Sequence, residues 1–238
     1  MTSIIASNVR VEYPILQSTS RSLKRRFVSA ATGGRIARDG HDHMVVTALD
    51  DISFTIHAGE RVALVGHNGS GKTTLLRVMA RVYEPVGGTI EVSGTISTFF
   101  DIAVGFDADA TGRENVYLRG FVMGMSRMLI DEHIDDIREF SGLGDYLDLP
   151  LRTYSSGMLM RLAFAVVTSV QRDLVLMDEW LAVGDAEFAE RAATRLEEYV
   201  DNTSMLVLAT HSEDLVRRIC NRRIVLDRGR IVGDEAVA

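Results

Sequence analysis

The chain reads as an α/β protein built on a largely parallel sheet, and three observations predict it. Short apolar segments alternate with longer segments of helical periodicity through the second half of the chain. An apolar strand at 61–65 runs straight into a glycine-rich loop with a helix behind it. The middle, about 101–165, is helix-rich and interrupts the alternation, so it reads as an inserted helical subdomain. A length of 238 residues suits one large domain, expected to span 1–238. With 46% hydrophobic and 25% charged residues, the chain as a whole can bury a core and is not disordered.

The elements follow in order. Residues 4–13 alternate in part and predict a strand; 46–57 predict another, ended by the turn Ala58-Gly59-Glu60. After the strand 61–65, a helix is expected over about 71–81. Further helices are predicted at about 112–124, 127–141, 156–171, 187–200 and 212–220, and strands at about 173–178, 204–209, 222–227 and 230–233. Segment 14–45 stands apart, with Arg21, Lys24, Arg25, Arg26, Arg35 and Arg38 against Asp39 and Asp42, while the whole chain carries −7. It reads either as a solvated loop or as a docking element for a membrane surface or a membrane-bound partner.

Composition removes several classes. Uncharged runs such as 62–71 and 162–171 reach about ten residues, half of the roughly 20 that a membrane helix needs. The start, Met1-Thr2-Ser3-Ile4, shows no secretory pattern. A single cysteine, Cys220, excludes an internal disulfide and favours a reducing compartment. The negative charge argues against nucleic acid as a partner. The ten methionines read as core fillers, and His41 and His43 lack the further ligands of a metal site. Glu187, Glu190, Glu197, Glu198 and Asp201 read as a solvated helix face.

The chemistry begins at Gly66-His67-Asn68-Gly69-Ser70-Gly71-Lys72-Thr73, which fits G-x-x-x-x-G-K-[ST]. Gly66, Gly69 and Gly71 let the backbone fold round phosphate oxygens, and the loop, with Asn68 and Ser70 as further binding residues, presents N–H groups to them at a helix N-terminus. Lys72 reaches the β- and γ-phosphates, the Thr73 hydroxyl ligates Mg²⁺, and Thr74 follows in the same turn. A second acidic site closes the apolar strand Leu174-Val175-Leu176-Met177. There Asp178 is suited to hold Mg²⁺ through its water shell and Glu179 to polarise the attacking water. His211, at the end of the next apolar strand, is placed to sense the γ-phosphate.

Between these sites stands Tyr154-Ser155-Ser156-Gly157-Met158, about 20 residues before the acidic pair. It resembles the signature motif of ABC ATPases, Leu-Ser-Gly-Gly-Gln, matching at Ser155 and Gly157 and departing at 154, 156 and 158. Asp185 resembles the D-loop aspartate. Tyr13 stands where the family often carries an adenine-stacking aromatic, the other reading being an end-of-strand tyrosine. The departures, with Thr111-Gly112-Arg113-Glu114-Asn115 and Asp178-Glu179-Trp180, are similar to the ABC subunits that export bacterial surface polysaccharides, the O-antigen branch above all. Trp180, where the family usually has proline, reads as a packing residue. No glutamine lies between 95 and 110 to match the Mg²⁺-ligating one of most members; Asp101 is the nearest candidate, the other reading being a solvated turn.

The resemblance implies an ABC nucleotide-binding domain: a P-loop RecA-like parallel-sheet core, an antiparallel β subdomain and an inserted α-helical subdomain. It implies ATP and Mg²⁺ as cofactors and a head-to-tail homodimer in which Ser155, Ser156 and Gly157 of one copy face the phosphate loop of the other. It also implies a separate polytopic permease, lipid-linked polysaccharide moved through it, and a peripheral place on the cytoplasmic face of the inner membrane. A C-terminal carbohydrate-binding domain, carried by some of this branch, is not expected. Export of teichoic acid, another lipid or a drug, and a soluble non-transport ATPase, are the alternatives.

Overall fold

The computed structural model describes residues 2–14, 36–38, 44–179 and 186–237, with no side-chain description for 36–38, 186 and 187. Most of the basic segment, His41, His43, Trp180 and Asp185 therefore lie outside the described residues. In chain order the elements are β1 (Ser3–Pro14), β2 (Ile36–Arg38), β3 (Met44–His57), β4 (Arg61–Val65), α1 (Lys72–Met79), β5 (Gly87–Ser93) and β6 (Ile96–Thr98). They continue with α2 (Gly112–Val122), α3 (Arg127–Ser141), α4 (Ser156–Val167), β7 (Leu174–Asp178) and α5 (Ala186–Asp201). The chain closes with β8 (Met205–Ala209), α6 (Glu213–Ile219), β9 (Arg222–Asp227) and β10 (Arg230–Ala236).

Two compact units form. The first comprises 1–94, 177–179 and 205–238, and the second 95–176 and 180–204. In the first unit β4 lies between β8 and β9, parallel to both, and β10 adds antiparallel to β9. β4 and β8 are buried along almost their whole length, which is why they read as continuous apolar runs. Helix α1 buries Leu75, Leu76, Val78 and Met79 and packs on β8. A second, antiparallel sheet runs β2-β3-β1-β5. The alternating burial of β1 follows from a sheet with one face solvated. Arg222 ties β9 to β3 and β10, donating to the Thr55 carbonyl at 2.7 Å and pairing with both Asp234 oxygens at 2.7 and 2.8 Å.

In the second unit α2, α3 and α4 enclose a core of Val116, Met125, Ile130, Ile137, Leu162 and Val166, and β6 pairs parallel with β7. Thr111 and Glu114 form a reciprocal capping box at the start of α2, and Ser126 and Ser155 cap α3 and α4. The buried Asn115 side chain holds loop 107–111 through four hydrogen bonds. The Thr-Gly-Arg-Glu-Asn run is thus a helix start locked onto its preceding loop. Phe99, Phe140, Phe164, Phe188 and Tyr199 form a chain of ring contacts at 5.4–6.3 Å.

Several boundaries differ from the expected ones. α1 stops at Met79 rather than 81 because Arg81 takes a left-handed φ of 60°. α4 stops at Val167 rather than 171, where the Thr168 and Ser169 hydroxyls donate back to the Phe164 and Val166 carbonyls, each at 2.9 Å. β2, β5 and β6 stand where the residue pattern predicts no strand. β5 opens with two glycines and is mostly exposed, so its pairing with β1 rather than its own pattern makes it a strand.

Candidate functional site

The glycine-rich loop leaves β4 and enters α1 entirely within the first unit. At two of its glycines the neighbouring atoms leave no room for a side chain. A Cβ at Gly66 would press into the Leu226 carbonyl oxygen, and Gly71, at φ 114°, lies against Leu49 and the Ala48 carbonyl. Ser70 is fully buried beneath the loop, its carbonyl accepting from Gly229 N–H at 2.7 Å. Gly71 caps α1 without a side-chain hydrogen bond, leaving the first-turn N–H groups for an anion.

Lys72 is 7% exposed. Its Nζ donates to the Gly66 carbonyl at 2.7 Å and the His67 carbonyl at 3.3 Å, and lies 3.3 Å from His211 Nε2. An ammonium can only donate, so Nε2 is the acceptor side of this contact. Burial pulls the Lys72 pKa below its ordinary value, while the Asp178 and Glu179 charges act to raise it.

The acidic pair ends β7 as expected. The Thr73 hydroxyl donates to Asp178 Oδ2 at 2.6 Å. Glu179 sits at φ 67°, rare for a residue with a side chain, with its N–H on the Ala209 carbonyl at 2.8 Å. Its Oε2 accepts from the buried Thr210 hydroxyl at 2.9 Å. Tyr13 is half-buried, with its hydroxyl 3.4 Å from Thr74 Oγ1 and its ring edge-on to Tyr83 at 5.7 Å. Burial raises its pKa.

These groups surround one pocket of about 450 Å³, lined by Tyr13, Val46, Ala48, Asn68, Gly69, Gly71, Lys72, Thr73, Thr74, Asp178, Glu179 and His211. Gly66 and Ser70 lie under the loop and shape it. Residues not anticipated from the sequence are Thr210, Tyr83 and the pair His67–Asp227, whose side chains meet at 2.8 Å. Among these only His67 carried a signal, being a titratable residue inside the loop motif.

Ser155, Ser156, Gly157 and Asp101 belong to the second unit. Ser155 caps α4, its hydroxyl accepting from Met158 N–H at 3.2 Å. Asp101 is exposed at φ 53°, and its carbonyl accepts from Val104 N–H at 2.9 Å in a tight turn. Among the described residues, no helix is long and apolar enough to cross a membrane.

A sequence profile described as ABC transporter matches residues 49–182. The chain is 43% identical to the O-antigen export system ATP-binding protein RfbE of Yersinia enterocolitica, over 97% of both chains. It is 35% identical to the O-antigen export system ATP-binding protein RfbB of Klebsiella pneumoniae, over 94% of this chain and 90% of that one. With the teichoic acids export ATP-binding protein TagH of Listeria innocua it shares 34% identity, over 96% of this chain and 65% of TagH. Among solved structures, the post-hydrolysis dimer of the ATP-binding cassette MJ0796 bound to ADP and Pi matches with a TM-score of 0.69. At 18% identity and 99% coverage of both chains, that likeness speaks for the fold. Phosphate loop, strand-end carboxylates, fold and relatives agree: the chain belongs to the ABC transporter family, among the ATP-binding subunits of bacterial polysaccharide exporters.

Proposed function

We propose that this chain binds and hydrolyses ATP to drive export of a lipid-linked surface polysaccharide of the O-antigen class. The observation that carries the proposal is the one pocket that joins Lys72, the Thr73–Asp178 pair and Glu179 on Thr210. The 43% identity to an O-antigen export subunit over 97% of the chain names the cargo class.

ATP enters with its adenine beside Tyr13 and its phosphates in the loop. Lys72 exchanges the Gly66 and His67 carbonyls for β- and γ-phosphate oxygens, so its charge is already aimed where negative charge accumulates. Thr73 Oγ1 and the Asp178 carboxylate are hard oxygen donors that fit Mg²⁺, and these residues would hold it. Bound there, the ion supplies charge neutralisation of the phosphates. Glu179 accepts a proton from the attacking water as the water oxygen bonds to the γ-phosphorus. The bond from that phosphorus to the β–γ bridging oxygen breaks, and ADP leaves with the electron pair. His211 steadies Lys72 and faces the γ-phosphate.

The two units act as a single ATPase domain, and two copies close head to tail over two ATP molecules. Ser155, Ser156, Gly157 and Asp185 of each copy complete the other's site. ATP holds the pair closed and hydrolysis releases it, a ligand-driven two-state switch. A membrane-spanning partner at the cytoplasmic face of the inner membrane converts that motion into transport. The likeness to TagH favours a second reading, teichoic acid as cargo.

Depletion of the protein in its own host tests the proposal. Polymer lost from the surface and accumulated on a lipid carrier inside supports export, and its sugar analysis separates the two cargoes. Normal surface glycan without internal build-up refutes both.

A further inference from the structure

Position 67 is one of the open positions of the phosphate-loop pattern, yet its side chain is held from two sides. His67 Nδ1 lies 2.7 Å from the Asn68 carbonyl oxygen, and Nε2 lies 2.8 Å from Asp227 Oδ1. Carbonyl and carboxylate oxygens accept, so the ring is the donor side of both contacts. The backbone of the same residue is engaged as well. Its carbonyl accepts from Ser70 N–H at 3.0 Å and from Lys72 Nζ at 3.3 Å. The His67 side chain is 56% exposed, so packing does not force it into this place.

The bond from Ser70 N–H to the His67 carbonyl closes a turn over 67–70, and Gly69 stands at its third position with φ 77°. That is the mark of a type II turn, whose central peptide is flipped relative to type I. Here the central peptide joins Asn68 to Gly69. The contact from the His67 ring fixes which way its carbonyl points. In a trans peptide the N–H points opposite to the carbonyl, so the Gly69 N–H turns away from the ring. Asn68 and Gly69 line the pocket, whereas the ring is directed at Asp227 of β9.

We infer that His67 is a positioning residue for ATP binding: clasped to Asp227, its ring sets the 68–69 peptide so that the N–H edge faces the phosphates. The inference rests on the ATP-binding reading of this pocket and adds a side chain at a position the motif leaves open. It follows from what Lys72 has to do. As Lys72 exchanges the His67 carbonyl for phosphate oxygens, residue 67 loses one of its holds just when the loop must keep its shape. The contacts from the ring to Asn68 and Asp227 do not involve Lys72 and persist through that exchange. A peptide already oriented needs no reorganisation on binding, so the effect falls on affinity rather than on the chemical step.

The test compares the full chain as wild type, His67→Ala, Asp227→Ala and the double variant. The Kd for ATP is read beside KM, kcat and the unfolding temperature. His67→Ala should bind ATP about three- to tenfold more weakly, the scale of a charge-assisted hydrogen bond at an exposed site. KM should rise by the same factor, with kcat at saturating ATP near that of wild type. Asp227→Ala should show part or all of that loss, and the double variant no more than His67→Ala alone, because the two residues act as one unit. Wild-type affinity in His67→Ala would overturn the inference. Losses that add in the double variant would do the same. So would a lowered kcat and unfolding temperature with KM unchanged, the pattern of a merely structural residue. A wild-type chain that does not bind ATP would instead refute the ATP-binding reading itself.

Discussion

Thr210 donates its hydroxyl proton to Glu179 Oε2 at 2.9 Å, joining the ends of two neighbouring strands across 31 residues. Thr210 is fully buried, whereas Glu179 is exposed and held at a left-handed φ of 67°. The carboxylate is thus anchored on one oxygen and leaves the other for a water. Replacing Thr210 by Val keeps the shape and removes the bond. ATP turnover should fall about tenfold with nucleotide affinity unchanged, since loss of orientation acts on the chemical step. Steady-state kinetics beside a direct nucleotide-binding measurement decides it; a change in affinity alone would contradict a positioning role.

Glu179→Gln removes the proton acceptor and keeps the hydrogen-bond geometry. Turnover should fall about 10²–10³-fold, the range for a general base or a main electrostatic group. ATP should still bind, and a dimer should accumulate in size-exclusion chromatography with ATP and Mg²⁺. Hydrolysis at the wild-type rate would remove Glu179 as the base.

Lys72→Ala should weaken ATP binding on the order of tenfold or more, because a buried charge-assisted contact to phosphate is lost. The variant should still fold. In the wild-type structure Lys72 meets backbone carbonyls and His211 rather than a carboxylate within hydrogen-bond reach. Titration with a fluorescent nucleotide checks the affinity, and an unaltered value would contradict the phosphate-loop reading.

Asp173 supplies a pH-dependent contribution. Its Oδ2 accepts from Thr95 N–H and from the Thr95 hydroxyl, both at 2.8 Å, and these bonds hold its pKa below the ordinary carboxylate value. A depressed folded-state pKa means that the unfolded chain takes up the proton first as pH falls. The contribution is present above about pH 4, the unfolded-state value, and is lost as pH drops through the folded value. Asp173→Asn should therefore be less stable than wild type at pH 7, with the gap narrowing toward pH 3. Urea unfolding across that range measures it, and a gap independent of pH would show that the bonds do not favour the ionised form.

Most of the residues lining the candidate pocket were legible from residue order because the pattern that brings them together is local. Gly66–Thr73 must be contiguous to wrap a phosphate, and Asp178-Glu179 must end an apolar strand to face it. The apolar runs of β4 and β8 likewise announced a parallel core, since strands buried on both faces have no reason to alternate. The helix expected from about 112 begins at Gly112, where the structure adds the Thr111–Glu114 capping box.

What tertiary structure decided rests on contacts between distant segments. β5, with its leading glycines, is a strand only because β1 offers it a partner. Thr210 is an ordinary strand-end residue until β7 and β8 bring it to Glu179, and His67 meets Asp227 across 160 residues. Residue type and spacing determined which chemistry this chain carries. Burial and the pairing of remote backbone decided which groups support it, because desolvation and hydrogen-bond satisfaction depend on neighbours that are distant along the chain.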